Sequence, residues 1–164
     1  MENLLLLLTA SLVWIRKSPS KFKRTLIGIR GSSVEFAEDV AFEHTRHEGD
    51  ELYFAEHQEK LITYGVLVAH LQQELCQEDA RTVLSSYLNR LRKPFKAQHN
   101  TGITDCSASN INLVDYWQDE DCVDWKLKAY SDGKTMAVLY VKNINDSEVE
   151  KQEAFLNSFR FGKA

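Results

Sequence analysis

The alternation of apolar and polar side chains is clearest towards the C-terminal end of the chain. Residues 124–130 alternate apolar and polar side chains, which is the period of a half-buried strand. Residues 131–134 follow, and their Asp-Gly pair favours the positive φ angles of a tight hairpin turn. Residues 135–141 are apolar on both faces, so we expect a strand inside the sheet. Residues 147–150 have the Ser-x-x-Glu sequence of a capping box, which predicts a helix from there to near Gly162.

Shorter apolar stretches in the first half of the chain predict further strands. They are separated by residues typical of turns, and sequential strands joined by short turns usually pair as antiparallel neighbours. The predicted strand regions are 25–30, 34–45, 51–56 and 61–71, with turns at 31–33, 46–50 and 56–59.

The strongest helical period comes directly after these strands. Glu78 and Asp79 are placed in its first turn and basic residues in its last, which suits the helix dipole at both ends, and Pro94 stops the helix. A polar loop at 99–110 and a strand at 111–117 follow. The apolar positions that repeat at helical spacing are Ala80, Val83, Leu84, Tyr87, Leu88 and Leu91.

The order of these elements predicts an α+β fold. We expect an antiparallel β-sheet of about six to eight strands, with two main helices packed against it and an additional apolar helix at the N-terminus. Residues 1–24 would form that apolar helix and a basic linker, and residues 25–164 a single α+β domain.

The N-terminal apolar run, Leu4 to Ile15, contains five consecutive leucines but is shorter than the about twenty residues of a membrane span. No basic residue precedes it and no Ala-x-Ala-like cleavage site follows, as a signal peptide would require. Basic residues come afterwards, from Arg16 to Arg24, with no acidic residue among them. Three interpretations stay open: a helix packed on the domain, a membrane anchor with a basic flank, or an atypical export signal.

Composition narrows the class of protein. A net charge of −4 argues against sequence-independent nucleic-acid binding, so we expect no nucleic acid among the partners. The three cysteines contain no Cys-x-x-Cys pair, which excludes a zinc ribbon. Cys106 and Cys122 would pair in an exported protein, whereas free thiols would fit a reducing compartment. We expect a cytoplasmic protein, with membrane-anchored or exported forms as the alternatives.

His44, His47 and Asp50 are the candidate metal ligands, because imidazole and carboxylate groups gathered in a turn can hold zinc or a similar ion. Residues three apart on one strand point to opposite faces, so the two histidines converge only if the turn begins at Arg46. The alternative interpretation is a polar surface turn.

The other candidate functional residues give weaker evidence of a site. The acidic run at 115–124 lacks the ligand pattern of a calcium loop and is interpreted as a solvated turn. Cys76, Cys106, Ser107, His70 and His99 offer a nucleophile and a base, but no local motif marks one of them as activated. Phosphate-binding motifs are absent from the sequence, and we expect no cofactor.

Two tyrosines are candidates for partner binding. Tyr116 lies on the opposite face of its strand from Trp117, so we expect Tyr116 at the surface, and Tyr130 likewise. Exposed tyrosines are preferred anchors for a protein partner.

The C-terminal sequence at 155–161, Phe-Leu-Asn-Ser-Phe-Arg-Phe, resembles the apolar-x-x-Ser-Phe-x-Phe ending of the PsbP-like fold. That fold is shared by the photosystem extrinsic protein, bacterial lipoproteins and a Ran-binding Mog family, and the hairpin at 128–141 precedes the ending as it does there. The resemblance implies a scaffold that is mostly non-enzymatic and serves binding.

These observations favour a non-enzymatic protein-binding or assembly domain, which would use one sheet face or the loop at 99–110. One alternative is a small metal-dependent protein or enzyme that uses His44, His47 and nearby carboxylates. Another is a membrane-tethered accessory factor that contacts the bilayer through Leu4 to Ile15 and Arg16 to Arg24.

Overall fold

The computed structural model of the chain describes residues 22–106 and 111–162. The predicted apolar helix at Leu4 to Ile15 lies outside the described residues, and so does most of the basic linker. The described chain forms ten strands, two α-helices and one 3₁₀ turn. The elements are β1 (Lys23–Ile27), β2 (Ser32–Phe36), β3 (Glu43–His47), β4 (Asp50–Glu59), β5 (Ile62–His70), α1 (Gln77–Leu91), β6 (Ala97–Asn100), β7 (Thr104–Asp105), β8 (Ile111–Asp119), β9 (Asp124–Ser131), β10 (Thr135–Lys142), the 3₁₀ turn (Asp146–Glu148) and α2 (Val149–Leu156).

Eight strands form one antiparallel sheet in the order β3-β4-β5-β10-β9-β8-β6, with β7 also paired to β8. This confirms the predicted α+β class with an antiparallel sheet and two helices. β10 lies in the middle, between β5 and β9, and every residue from Thr135 to Val141 is buried. The prediction of an interior strand from an apolar run is therefore confirmed.

β1 and β2 form a separate two-stranded hairpin. The stretch 34–45, predicted as one strand region, is divided between this hairpin and the edge strand β3. The physical reason is burial: Val34 and Phe36 of β2 are buried in the core, whereas all five residues of β3 are exposed and are held by pairing with β4.

The first face of the sheet is covered by the hairpin and α2. Inward side chains of β4, β5 and β10 pack there against Phe36 of β2 and against Phe155 of α2, whose ring centroids lie 5.2 Å apart. The buried apolar residues of this core are Ile27, Val34, Phe36, Tyr53, Ala55, Ile62, Tyr64, Val66, Val68, Ala137, Leu139, Val141, Phe155, Leu156 and Phe159.

The second face is covered by α1, which contacts β8 and β9. The predicted helical period is confirmed, because its buried positions form the stripe that meets the sheet. Behind α1 lies an aromatic cluster whose rings contact one another: Phe95, Trp117, Trp125 and Tyr140.

Several local predictions are wrong. No capping box at Ser147 starts α2, because Asn145 instead accepts a hydrogen bond from the Ser147 amide and caps the 3₁₀ turn. The turn predicted at 56–59 is the end of β4, and the chain reverses at Lys60 and Leu61. The loop at 99–110 contributes β6 and β7, whose polar residues pair with β8 through backbone hydrogen bonds.

Candidate functional site

The predicted metal ligands do not meet at one point. His44 and His47 point to opposite faces of β3, as residues three apart on a strand do. The His44 ring stacks on Tyr53 at a centroid distance of 4.6 Å, whereas His47 lies cross-strand from Asp50. Oδ1 of Asp50 accepts the Gln72 amide at 2.8 Å. Within residues 22–106 and 111–162, no three His, Cys, Asp or Glu side chains gather to hold a metal ion.

His44 instead belongs to a polar cluster on the first face of the sheet. Glu51 accepts hydrogen bonds from Arg46 at 2.6 Å and from the Tyr53 hydroxyl at 2.8 Å, and the hydrogen bond from Arg46 lowers the pKa of Glu51. His70 lies cross-strand from Glu51 with its ring 5.1 Å from that of Tyr53. Glu51 is ionised, and its hydrogen bond with Arg46 joins β4 to β3. The cluster therefore stabilises the edge of the sheet.

The candidate nucleophiles contact groups other than a histidine. The Cys76 thiol donates to Asp79 at 3.1 Å, and the Cys106 thiol lies 3.9 Å from the Thr104 carbonyl. Cys76, Cys106 and Cys122 are free thiols, so Cys106 and Cys122 are not paired. Ser107 lies outside the described residues.

Tyr116 and Tyr130 lie on the same face of the β8–β9 pair but have different roles. Tyr116 is 42% exposed, and the Lys126 ammonium lies 5.3 Å from its ring centroid. Tyr130 is half-buried: its hydroxyl donates to the Leu156 carbonyl at 2.5 Å, and its ring stacks on Phe159 at 5.6 Å. Burial raises the pKa of Tyr130. Tyr116 is thus partly exposed, whereas Tyr130 fixes the end of α2.

Two grooves open at the end of the sheet where the β4–β5 turn approaches the β8–β9 turn. Groove A has a volume of about 710 Å³ and groove B of about 570 Å³. They share Leu61, Trp125 and Asn143, and so lie on either side of one turn. Groove A is further lined by Lys60, Ile62, Tyr116, Trp117, Asp124, Ile144, Asn145, Asp146 and Glu148.

Two tryptophans beside the grooves, Trp117 and Trp125, have buried side chains that are held by buried carboxylates. The Trp117 indole donates to Asp115 at 2.7 Å, and the Trp125 indole donates to Asp119 at 3.0 Å. Asp115 also accepts from Arg92 at 3.1 Å. The solvated-turn interpretation is therefore wrong for Asp115 and Asp119, which are both buried. The sequence signal was available, because Asp115 and Trp117 are two apart on a strand and share a face.

Leu61 is the apolar residue that the sequence interpretation missed. It was placed inside a strand, but it lies at the β4–β5 turn, where it is 75% exposed. Its carbonyl accepts from the Asn143 side chain at 2.9 Å, so the turn is tied to the end of β10. Groove A consequently displays two exposed side chains, Leu61 and Tyr116, on backbone that is held by the Asn143 hydrogen bond and by strand pairing.

The rim of groove A is polar and carries more negative than positive charge. Lys60 is its basic residue, and it donates to Glu148 at 2.9 Å across the mouth of the groove. Asp124 and Asp146 add two further carboxylates. This charge balance favours a ligand with cationic groups beside an apolar one.

In groove B most of the charged groups already have partners. The Lys142 ammonium lies 4.8 Å from the Trp125 ring centroid and 3.2 Å from Asp119. The Tyr140 hydroxyl donates to Glu56, and Lys96 pairs with Glu120. Groove B is therefore a polar surface over the aromatic cluster, and it is a weaker candidate for a binding site than groove A.

Comparison of the chain with protein-family models, with curated proteins and with solved structures found no match in any of the three. The resemblance to the PsbP-like fold consequently stays a prediction. Among the described residues, no helix combines the length and the apolar character needed to cross a bilayer.

Proposed function

We propose that this chain is a non-enzymatic protein-binding domain that receives its partner at groove A. One observation carries the proposal: groove A displays an exposed Leu61 and an exposed Tyr116 at one end of the sheet, where Asn143 ties the β4–β5 turn to β10. The PsbP-like resemblance of the C-terminal sequence, which implies a binding scaffold, agrees with it.

The arrangement suits binding because it is formed before the partner arrives. Exposed Leu61 and Tyr116 lose contact with water when a partner covers them, and the free energy of binding usually concentrates in a few such anchors. The backbone that carries them is held by the hydrogen bond from Asn143 to the Leu61 carbonyl and by the pairing of β8 with β9, so little ordering is left for the binding step.

The charge of the rim specifies the chemistry of the partner. Asp124, Asp146 and Glu148 outnumber Lys60 around groove A. We therefore expect a partner segment that places an apolar side chain against Leu61 and Tyr116 with lysine or arginine beside it.

The test is quantitative co-purification from a lysate of the source cells with three forms of the full chain. Leu61→Asp combined with Tyr116→Ala removes both anchors. Val83→Asp is the matched control, since Val83 is also partly exposed but lies on α1 over the other face. A partner should be retained by the wild type and by the control, and its recovery should fall about tenfold or more with the groove variant.

Circular dichroism is used to show that all three forms are folded. If the folded forms then recover every bound protein equally, groove A is not the binding surface. Loss with Val83→Asp and retention with the groove variant would move the interface to α1.

A further inference from the structure

The β1–β2 hairpin displays a second apolar surface, at the opposite end of the sheet from groove A. Leu26 is 70% exposed and Ile29 is 91% exposed, whereas their neighbour Ile27 is fully buried in the first-face core. The hairpin turns at residues 28–31, with Gly28 and Gly31 at positive φ. Two aliphatic side chains, one near the end of β1 and one in the turn, are thus exposed to solvent.

The exposed turn is held firmly in place. Arg30 donates to the Leu71 carbonyl at 2.7 Å and to the Lys134 carbonyl at 3.0 Å, which ties the turn to β5 and to the β9–β10 turn. Ser33 and Arg160 exchange two backbone hydrogen bonds at 2.9 and 2.8 Å. Leu26 and Ile29 are therefore presented by a supported hairpin that is anchored from two sides.

Two arginines, Arg30 and Arg160, lie beside this turn. The Arg30 hydrogen bonds go to carbonyl oxygens, and Arg160 likewise donates to the Asn157 and Phe159 carbonyls. In the described part of the chain no ion pair joins either guanidinium to a carboxylate. Among the described residues, both arginines thus carry their charge beside the apolar turn without a direct ion pair.

The sequence just before the hairpin has the same character. Arg16, Lys17 and Lys21 precede β1 without an acidic residue among them, and the apolar run Leu4 to Ile15 lies upstream of these cations. The apolar run is therefore followed by a basic stretch that leads to the hairpin.

We propose that the hairpin turn is a membrane-surface contact that inserts Leu26 and Ile29 into the interface of an anionic bilayer, with Arg30 and Arg160 at the level of the phosphates. Aliphatic side chains flanked by cations are the combination that anionic lipid surfaces attract. An apolar contact of this size gives weak, reversible binding.

This proposal does not rest on the protein-binding role of groove A. Leu71 and Lys134, which hold the hairpin turn, lie at the opposite ends of β5 and β10 from Leu61 and Asn143, which form the grooves. A chain resting on a bilayer through residues 26–30 would leave groove A facing away from the membrane.

The test is flotation of the full chain with vesicles of phosphatidylcholine alone or mixed with phosphatidylglycerol. Leu26→Ser combined with Ile29→Ser should reduce the bound fraction about tenfold relative to wild type on the mixed vesicles. Val83→Ser is the control and should bind as the wild type does. Added salt should weaken binding, because it screens the attraction of arginine to phosphate.

A fluorescent label separates the hairpin from the upstream apolar run. The label is attached at Ile29→Cys or, as the control, at Val83→Cys, after Cys76, Cys106 and Cys122 have been replaced by serine. With mixed vesicles, the emission of the label at position 29 should shift to the blue, and that of the label at position 83 should not.

Three results would overturn the proposal. One is that the wild-type chain binds vesicles of neither composition. Another is equal binding to vesicles with and without phosphatidylglycerol. The third is vesicle binding without a shift at position 29, since the upstream run alone would then be responsible.

Discussion

Asp115 and Asp119 show how single buried polar residues organise this molecule. Each carboxylate accepts an indole N–H from a tryptophan that lines a groove. Burial opposes the ionisation of Asp119, but hydrogen bonds from the Val123 amide, the Trp125 indole and Lys142 outweigh it, and the pKa of Asp119 lies below its usual range. A buried charge of this kind is tolerated because its hydrogen-bonding capacity is filled.

His70 is a buried polar residue of the opposite kind. It is 1% exposed, and neither of its ring nitrogens has a hydrogen-bond partner within the described residues. Desolvation and the nearby Arg30 lower the pKa of His70, against the smaller opposing effects of Glu51 and Asp132. The folded state therefore favours the neutral imidazole.

We predict that the chain loses stability as the pH falls below about 6.5, the ordinary pKa of an imidazole. Below that pH the unfolded chain takes up a proton at His70 that the folded chain, with its lowered pKa, resists binding. Urea unfolding of wild type and His70→Phe at neutral and mildly acidic pH measures this. The pH dependence should be smaller in His70→Phe and unchanged in His47→Ala, whose side chain is exposed. An unaltered slope in His70→Phe would contradict the assignment.

At the scale of elements, helix ends were harder to predict than helix bodies. The helical period predicts the apolar stripe of α1, but it does not predict the N-cap. The N-cap is Cys76, whose sulphur lies 3.5 Å from the Asp79 amide. Sulphur is a weak acceptor, so this position is capped less well than a serine would cap it.

We predict that Cys76→Ser unfolds at higher urea concentration than Cys76→Ala, by about 1 kcal/mol in the free energy of unfolding. The hydroxyl can accept the Asp79 amide hydrogen bond, and the methyl group cannot. Wild type should lie between the two variants. Cys106→Ser, an exposed thiol outside any helix, should stay within about 0.5 kcal/mol of wild type. Equal stability of the two Cys76 variants would show that the cap does not matter.

At the scale of the whole molecule, the sheet separates two surfaces. β5 runs from Ile62 beside groove A to His70 beside the hairpin turn, a length of about 30 Å for a strand of nine residues. The two helices cover different parts of the sheet: α1 lies over β8 and β9, and α2 packs against β10 and the hairpin. A protein partner and a lipid surface could therefore be engaged at the same time.

We predict that Arg30→Gln loosens the hairpin without affecting groove A. Losing the guanidinium removes the hydrogen bonds to the Leu71 and Lys134 carbonyls, so amide exchange in residues 23–36 should accelerate while that in β8–β10 stays at the wild-type rate. Hydrogen–deuterium exchange with mass spectrometry measures both. Arg90→Gln, an exposed change in the last turn of α1, is the control. Uniform acceleration throughout the chain would instead indicate global destabilisation.

Some elements were predictable because their signal is local. The Asp-Gly turn at 132–133 and the apolar stretch of β10 identify the β9–β10 hairpin, and the spacing of Leu84, Leu88 and Leu91 identifies α1. In these segments the residues that bury together are close neighbours in sequence, so period and turn chemistry suffice.

Edge strands carried no such signal. β3, β6 and β7 are short and consist mostly of exposed polar residues, and they form because β4 or β8 supplies backbone hydrogen bonds. Their sequences are those of loops, because strand pairing requires little apolar burial at an edge.

The sequence by itself determined the α+β class, α1 and the interior hairpin, because each depends on periodicity within one segment. Only the tertiary structure decided the candidate surfaces. Groove A joins Leu61, Tyr116 and Asn143, and the hairpin turn depends on Leu71 and Lys134 for its support. These residues are far apart in the chain and meet only when β10 pairs between β5 and β9, and strand pairing of that range leaves no local pattern in the sequence.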